Sequence, residues 1–336
     1  MTGILYVTDP GVSSTAQIDN LGKFLGFHSK VSKPCLVVVA GDYSDMTDVQ
    51  EHEYFQQLVR AGLSEEDAEK RIGEEKAQPG ISFYRPYQPP IPQPWYAADQ
   101  LYCLYSDLFR MIESNTDVPI ILNPGNHDLI RPYQNAFKDS KSGRIFNPEF
   151  KVEKLNGMNV AAIPGSQERL RFVDDRTYCW KDLSLNELLR QLTQSVEEHG
   201  QLDLLLTHMP PQAYDHESLL GFGCDRTPDW NLLPSRNMIT DQGPRVGYNL
   251  TRQYVQIHNP HLVLSGHIEE ARHAQDGTLR AGAIDKIGAS IVVNPGGFFP
   301  NWFETSPVGA LIDYQDGKVQ SVSFIVGEGL SSTVRS

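Results

Sequence analysis

The chain lacks the features that mark several large classes of protein. Its four cysteines, Cys35, Cys103, Cys179 and Cys224, stand far apart with no Cys-x-x-Cys pair. That spacing argues against a disulfide scaffold and against a cysteine zinc cluster, and suits structural thiols in a reducing compartment. No uninterrupted apolar stretch approaches the length of a membrane span, so no membrane partner is expected. Positive charge is in deficit: 29 Lys and Arg against 42 Asp and Glu leave a net charge of −13. Tight binding to long nucleic acid depends on neutralising phosphates with Lys and Arg, so it is disfavoured here. A small phosphorylated partner is compatible with the charge, because a metal ion would supply the local positive field. The first residues run directly into the strand-like Ile4-Leu5-Tyr6-Val7 without a basic segment or cleavage pattern, and a cytoplasmic protein is expected. There is no internal repeat, and the oligomeric state is not legible.

What the chain does have is a series of short apolar runs that end in turns. At 336 residues with 40% apolar and 21% charged residues, it can bury a sizeable core. Ile4 to Thr8 reads as a strand ending in Asp9-Pro10-Gly11, and Thr15 to Phe27 as a helix that packs on it. Cys35 to Ala40 is a β-branched run of the kind buried on both faces of a sheet, and it ends in Gly41-Asp42-Tyr43-Ser44-Asp45. Pro119 to Leu122 leads into Asn123-Pro124-Gly125-Asn126-His127-Asp128. Leu202 to Leu206 ends in Thr207-His208-Met209-Pro210, and His261 to Ser265 ends in Gly266-His267-Ile268-Glu269.

Between these lie a helical stretch within 47–77 starting near Ser64, a helix over Ala97–Glu113, a hairpin about Asn156-Gly157, and a capping box at Ser184 opening a helix to about Glu198. A further helix is expected near Tyr248–His258. Strands are expected near 278–281, 289–293, 308–313 and 318–326, the last two joined by Asp316-Gly317. The order of elements predicts α/β strands first, then antiparallel strands forming a second sheet packed on the first. One domain over 1–330 is expected, with insertions at about 51–96 and 211–247. The first holds the proline-rich Pro79–Trp95; the second carries Arg226, Arg236 and Arg245, which could pair with phosphate, and Tyr214, Phe222, Trp230 and Tyr248, which could stack on a base or build a small core.

Asp9, Asp42, Asn126, His127, His208 and His267 therefore occupy the same topological place, just beyond the end of an apolar strand. Singly, each has an ordinary explanation as a cap, a turn residue or a satisfied imidazole. Jointly, they place metal-type ligands at the carboxyl lip of the sheets, where ligands bind in α/β folds.

The pattern resembles the calcineurin-like metallophosphoesterase superfamily, from Asp9 to Asn294. Gly41-Asp42-Tyr43-Ser44-Asp45 and Gly125-Asn126-His127-Asp128 match its Gly-Asp-x-x-Asp and Gly-Asn-His-Asp/Glu motifs, and His208, Gly266-His267 and Asn294-Pro295-Gly296-Gly297 match later segments. The resemblance implies an α/β fold, a four-layer α/β/β/α sandwich, with two divalent metals about 3.5–4 Å apart that clamp a phosphate and generate a hydroxide. It implies that Asp42 bridges the ions and that Asn126, His208 and His267 complete the second site. It makes His127 the general acid and Asp45 the carboxylate that orients its ring.

Two positions depart from the family pattern. Gly11 stands where Asp-x-His would have its His, and Glu269 where Gly-His-x-His would have its last His. The first site is left with Asp9, Asp42 and Glu269, an oxygen set suited to Mn²⁺ or Mg²⁺, with Zn²⁺ or Fe as alternatives, one ion or two. His273 is a further imidazole nearby in sequence. Met46 replaces the Arg of the protein phosphatases, which points to a small, nucleotide-like phosphodiester or phosphomonoester as the substrate of a phosphoesterase. The alternative is a catalytically impaired member that binds a nucleotide or a partner.

Overall fold

A computed structural model describes residues 2–11, 15–43, 58–76, 95–140, 143–167, 178–180, 182–212, 224–226, 232–234, 239–240, 243–244, 247–267, 283–298, 308–327 and 329–335. In chain order the strands begin with β1 (Thr2–Thr8), β2 (Leu36–Gly41), β3 (Ile120–Pro124), β4 (Ile145–Phe146), β5 (Glu153–Leu155), β6 (Met158–Ile163), β7 (Ser166–Gln167), β8 (Cys179–Trp180) and β9 (Leu204–Thr207). Four short strands follow: β10 (Cys224–Arg226), β11 (Leu232–Pro234), β12 (Ile239–Thr240) and β13 (Gly243–Pro244). The last six are β14 (Leu262–Ser265), β15 (Ala283–Ile287), β16 (Ser290–Asn294), β17 (Val308–Gln315), β18 (Lys318–Val326) and β19 (Gly329–Arg335).

Two large sheets carry the site. One runs in the order β19-β18-β17-β1-β2-β3-β4, the other β15-β16-β14-β9-β6-β5. Alternate residues of β1, β2 and β3 point to opposite sides, and both sides are apolar. Leu5, Val7, Val37, Val39, Ile120 and Leu122 face Leu21, Leu25, Tyr105, Leu108 and Phe109 of the helices Thr15–Ser32 and Trp95–Asn115. Ile4, Tyr6, Leu36, Val38 and Ile121 face Val160, Leu204, Leu206, Leu262 and Leu264 of the other sheet. On its far side Ala161, Leu205 and Val263 pack against Leu189, Leu192, Val196, Tyr254 and Val255 of the helices Asp182–His199 and Asn249–His258. Three successive cores make a four-layer α/β/β/α sandwich. Each fully buried Leu, Ile or Val contributes roughly 1.5–3 kcal/mol, so this frame tolerates polar groups at its rim.

The C-terminal strands are not a sheet of their own. β15 and β16 extend the second sheet, while β17 to β19 turn back and join the first, with β17 antiparallel to β1 (Ile4 opposite Ile312). The physical reason is that β1 would otherwise be an open edge, and Ala310 and Ile312 complete the core between the sheets on that side. The helix Asp182–His199 starts ahead of Ser184, so that serine is not its cap. Ser64 does cap its helix: its Oγ accepts from Asp67 N at 3.1 Å at the head of Glu65–Lys76. Asn156 and Gly157, with φ of 50° and 84°, form the turn between β5 and β6. The expected strand at 278–281 and the proline-rich 79–94 lie outside the described residues. Among the described residues, no helix is long and apolar enough to cross a membrane.

Candidate metal centre

The parallel registers bring the strand ends to one level. Thr8 lies opposite Ala40 and Gly41 opposite Pro124 in the first sheet, and Thr207 opposite Ser265 in the second. Asp9, Asp42 and Asn126 therefore leave one sheet where His208 and His267 leave the other. Bonds between the sheets fix this meeting: Tyr6 OH donates to Ser265 O at 2.8 Å, and His267 N to Asp9 Oδ2 at 2.7 Å. Asn294, fully buried, donates from Nδ2 to Gly266 O at 3.3 Å and holds the turn before His267.

Four side chains converge on one point. His208 Nε2 lies 2.7 Å from Asn126 Oδ1, 3.0 Å from His267 Nδ1 and 3.6 Å from Asp42 Oδ1. Asp42, His208 and His267 form a set whose ligand atoms all lie within 4.8 Å of one another. The two rings sit edge to face, with centroids 4.8 Å apart and planes at 77°. Burial holds the His208 ring well below the usual imidazole range, helped by the nearby His267 and His127. His267 is held down to about 3 by burial and then by His127. Both rings are neutral at ordinary pH, so the proton that one offers is shared among several lone pairs. Neutral imidazole is the form that binds a metal. Donor atoms around an ion at ~2.1 Å are themselves ~3–3.4 Å apart, close to the spacing found here. The donor set fits a divalent cation.

Asp9 is differently placed. Its Oδ2 accepts from Thr8 Oγ1 at 3.0 Å as well as from His267 N, and its Oδ1 accepts from Asp42 N at 3.1 Å. His208 Nδ1 is 3.5 Å from Asp9 Oδ1 but has no hydrogen bond, and with a neutral ring this is no ion pair. Burial raises the Asp9 carboxyl to about 6, against the lowering effect of those donors. The glycines before Asp42 and Asn126 are required by this packing. At Gly41, with φ of 90°, a Cβ would fall 1.8 Å from Asp9 Oδ1; at Gly125 it would fall 2.0 Å from Asp42 Oδ1.

The turn that carries Asn126 and His127 is held from behind and from the side. His127 N donates to Asp42 Oδ1 at 2.8 Å, and the half-buried His127 side chain sits at the rim. Asp128 is fully buried and accepts from Gly125 N at 2.8 Å, Tyr43 N at 3.1 Å and Tyr105 OH at 2.9 Å. Burial first, and the Asp42 charge second, push its carboxyl up to about 8. Tyr105 comes from the helix Trp95–Asn115 and also accepts from Leu129 N at 3.3 Å. The sequence suggests Asp128 as an anion that holds its neighbours in the turn, but gives no sign of Tyr105; a tyrosine in a helix of mixed composition carries no signal of the carboxylate it will meet. Asp45, Glu269, His273, Arg236, Arg245, Tyr214, Phe222 and Trp230 lie outside the described residues, and of Arg226 only the backbone is described.

Fold and site together define a four-layer sandwich with a donor set that fits a divalent cation at its strand ends. Residues 3–269 match the model of the calcineurin-like phosphoesterase family, and the chain belongs to that family. No curated protein matches it. The solved structure of TT1561 from Thermus thermophilus is similar over 97% of this chain and 98% of its own, with a TM-score of 0.55 and 14% identity. Another solved structure aligns over 96% of this chain and 98% of its own, with a TM-score of 0.57 and 14% identity. At such identity the likeness is one of fold.

Proposed function

We propose that the chain is a metal-dependent phosphoesterase acting on a small, nucleotide-like phosphomonoester or phosphodiester. The observation that carries this reading is the convergence of Asn126 Oδ1, His267 Nδ1 and Asp42 Oδ1 on His208 Nε2. These four residues would hold the ion, which would supply Lewis-acid charge to a phosphoryl oxygen. Two imidazoles, an amide oxygen and a carboxylate favour Mn²⁺ over Mg²⁺, with Zn²⁺ or Fe as competitors.

His127 extends from the turn anchored on Asp42 and is the proposed general acid that gives its proton to the leaving oxygen. Asp45 is the proposed carboxylate that orients this ring. Asp128 and Tyr105 keep the turn in shape, so that the His127 ring and the Asn126 oxygen hold fixed positions relative to Asp42. The acidic balance of the chain, −13, supports a small substrate over a long nucleic acid. Cys35 and Cys103 are free thiols, which supports a cytoplasmic setting.

The test is turnover of aryl phosphomonoesters and phosphodiesters with Mn²⁺, Mg²⁺, Zn²⁺ or Fe²⁺. His127→Ala is expected to lower kcat by about 10²- to 10⁴-fold with metal content unchanged. Absence of turnover with every ion, in protein that binds the ion stoichiometrically, would contradict the enzyme reading in favour of a binding protein.

A further inference from the structure

Resting on the phosphoesterase reading, we infer that this chain works with a single ion, and that Asp9 is a positioning residue for the single site. The two-ion pattern of the family needs an imidazole two residues beyond this Asp, and Gly11 stands there, its N–H donating to Asp42 O at 2.9 Å. A carboxylate offers about four lone-pair sites, and three of those on Asp9 accept Thr8 Oγ1, His267 N and Asp42 N. Two of the three donors are the backbone N–H groups of residues whose side chains converge on the ion site. Asp9 thus fixes Asp42 and His267 from their backbones.

The fixing is needed because of local conformation. His267 has φ of 63° and Asp9 itself 48°, both in the left-handed region that residues with a Cβ adopt at a cost. His267 N–H on Asp9 Oδ2 at 2.7 Å is the shortest of the three bonds and holds that conformation, which aims Nδ1 at His208 Nε2. Asp9 is buried, with 4% of its surface exposed, and pressed against the Gly41 backbone. An ion seated on Asp9 would have to share an acceptor already committed to holding the neighbouring ligands. Among the described residues, the group of His and carboxylate side chains that converges is Asp42, His208 and His267, without Asp9.

The experiment is equilibrium dialysis of the full chain against saturating Mn²⁺, with bound metal counted by elemental mass spectrometry. One ion per chain is expected, in wild type and in Glu269→Ala alike. Asp9→Asn, which keeps one acceptor oxygen and loses the other, is expected to bind one ion with an affinity weaker by about 10- to 100-fold and to fold normally by circular dichroism. Two ions in wild type, falling to one in Glu269→Ala or Asp9→Asn, would overturn the inference while leaving the phosphoesterase reading intact. No bound ion in wild type would sink both.

Discussion

The two halves of the site solve opposite problems. Around His208, neutral imidazoles, an amide oxygen and a carboxylate point lone pairs at one another, with too few protons to go round. Around Asp9, donors and acceptor match: three N–H or O–H groups meet one buried carboxylate. The first arrangement is the one that the proposed cation would complete; in the second, three acceptor sites of the carboxylate are already filled. Local conflict marks where a chain has given up stability for function, and here the conflict lies on the His208 side.

His208→Ala removes the atom at the centre of the conflict, and Mn²⁺ affinity measured by titration calorimetry should fall by more than about 100-fold. The metal-free variant should also lose the Nε2 contacts to Asn126 and His267 and the packing of a fully buried ring, so its unfolding free energy without metal is measured alongside.

Gly41→Ala strikes the satisfied half. Its Cβ would overlap Asp9 Oδ1 and would sit at a φ of 90°, so a loss on the order of 3 kcal/mol is expected in denaturant unfolding, metal or no metal. A smaller loss than that of an alanine placed at an exposed loop glycine would show that Asp9 is not held tightly.

Tyr105→Phe deletes one hydrogen bond to Asp128 behind the Asn126–His127 turn. A stability loss of about 1–2 kcal/mol is expected, together with a fall in kcat at unchanged Mn²⁺ stoichiometry.

The pH dependence of the metal-free protein carries the contrast in its sign. The Asp128 carboxyl, ordinarily at 3.8, is raised to about 8. Stability from its protonated form is therefore complete at low pH and is lost as pH rises toward 8. His267, ordinarily at 6.5, is lowered to about 3; its contribution is present above 6.5 and is lost as pH falls toward 3. Between 6.5 and 8 the Asp128 effect acts without that opposing one, so stability should decline there by on the order of 1 kcal/mol. The decline should vanish in Asp128→Asn.

Much of the fold was legible because β1, β2, β3, β9 and β14 are buried on both faces, and such strands read as unbroken apolar runs that end abruptly. Asp9, Asp42, Asn126, His208 and His267 were legible for the same reason: each follows one of those ends. The sheet that β17 to β19 join was not legible. Alternation along Ala310, Leu311 and Ile312 reports which faces are buried, and both candidate sheets offer the same kind of face. The role of Asp128 was hidden because its partners, Tyr43 and Tyr105, come from a strand end and a helix that only the folded chain brings together. The bonding of Asp9 was hidden too, since two of its three donors are backbone N–H groups that every residue but proline possesses.

The most direct measurement is anomalous diffraction from crystals of the full chain soaked in Mn²⁺. One peak is predicted per chain, among Asp42, Asn126, His208 and His267, with the Asp9 carboxylate still bonded to His267 N and Asp42 N. A second peak on the far side of Asp42, with Asp9 turned toward it, would contradict the account.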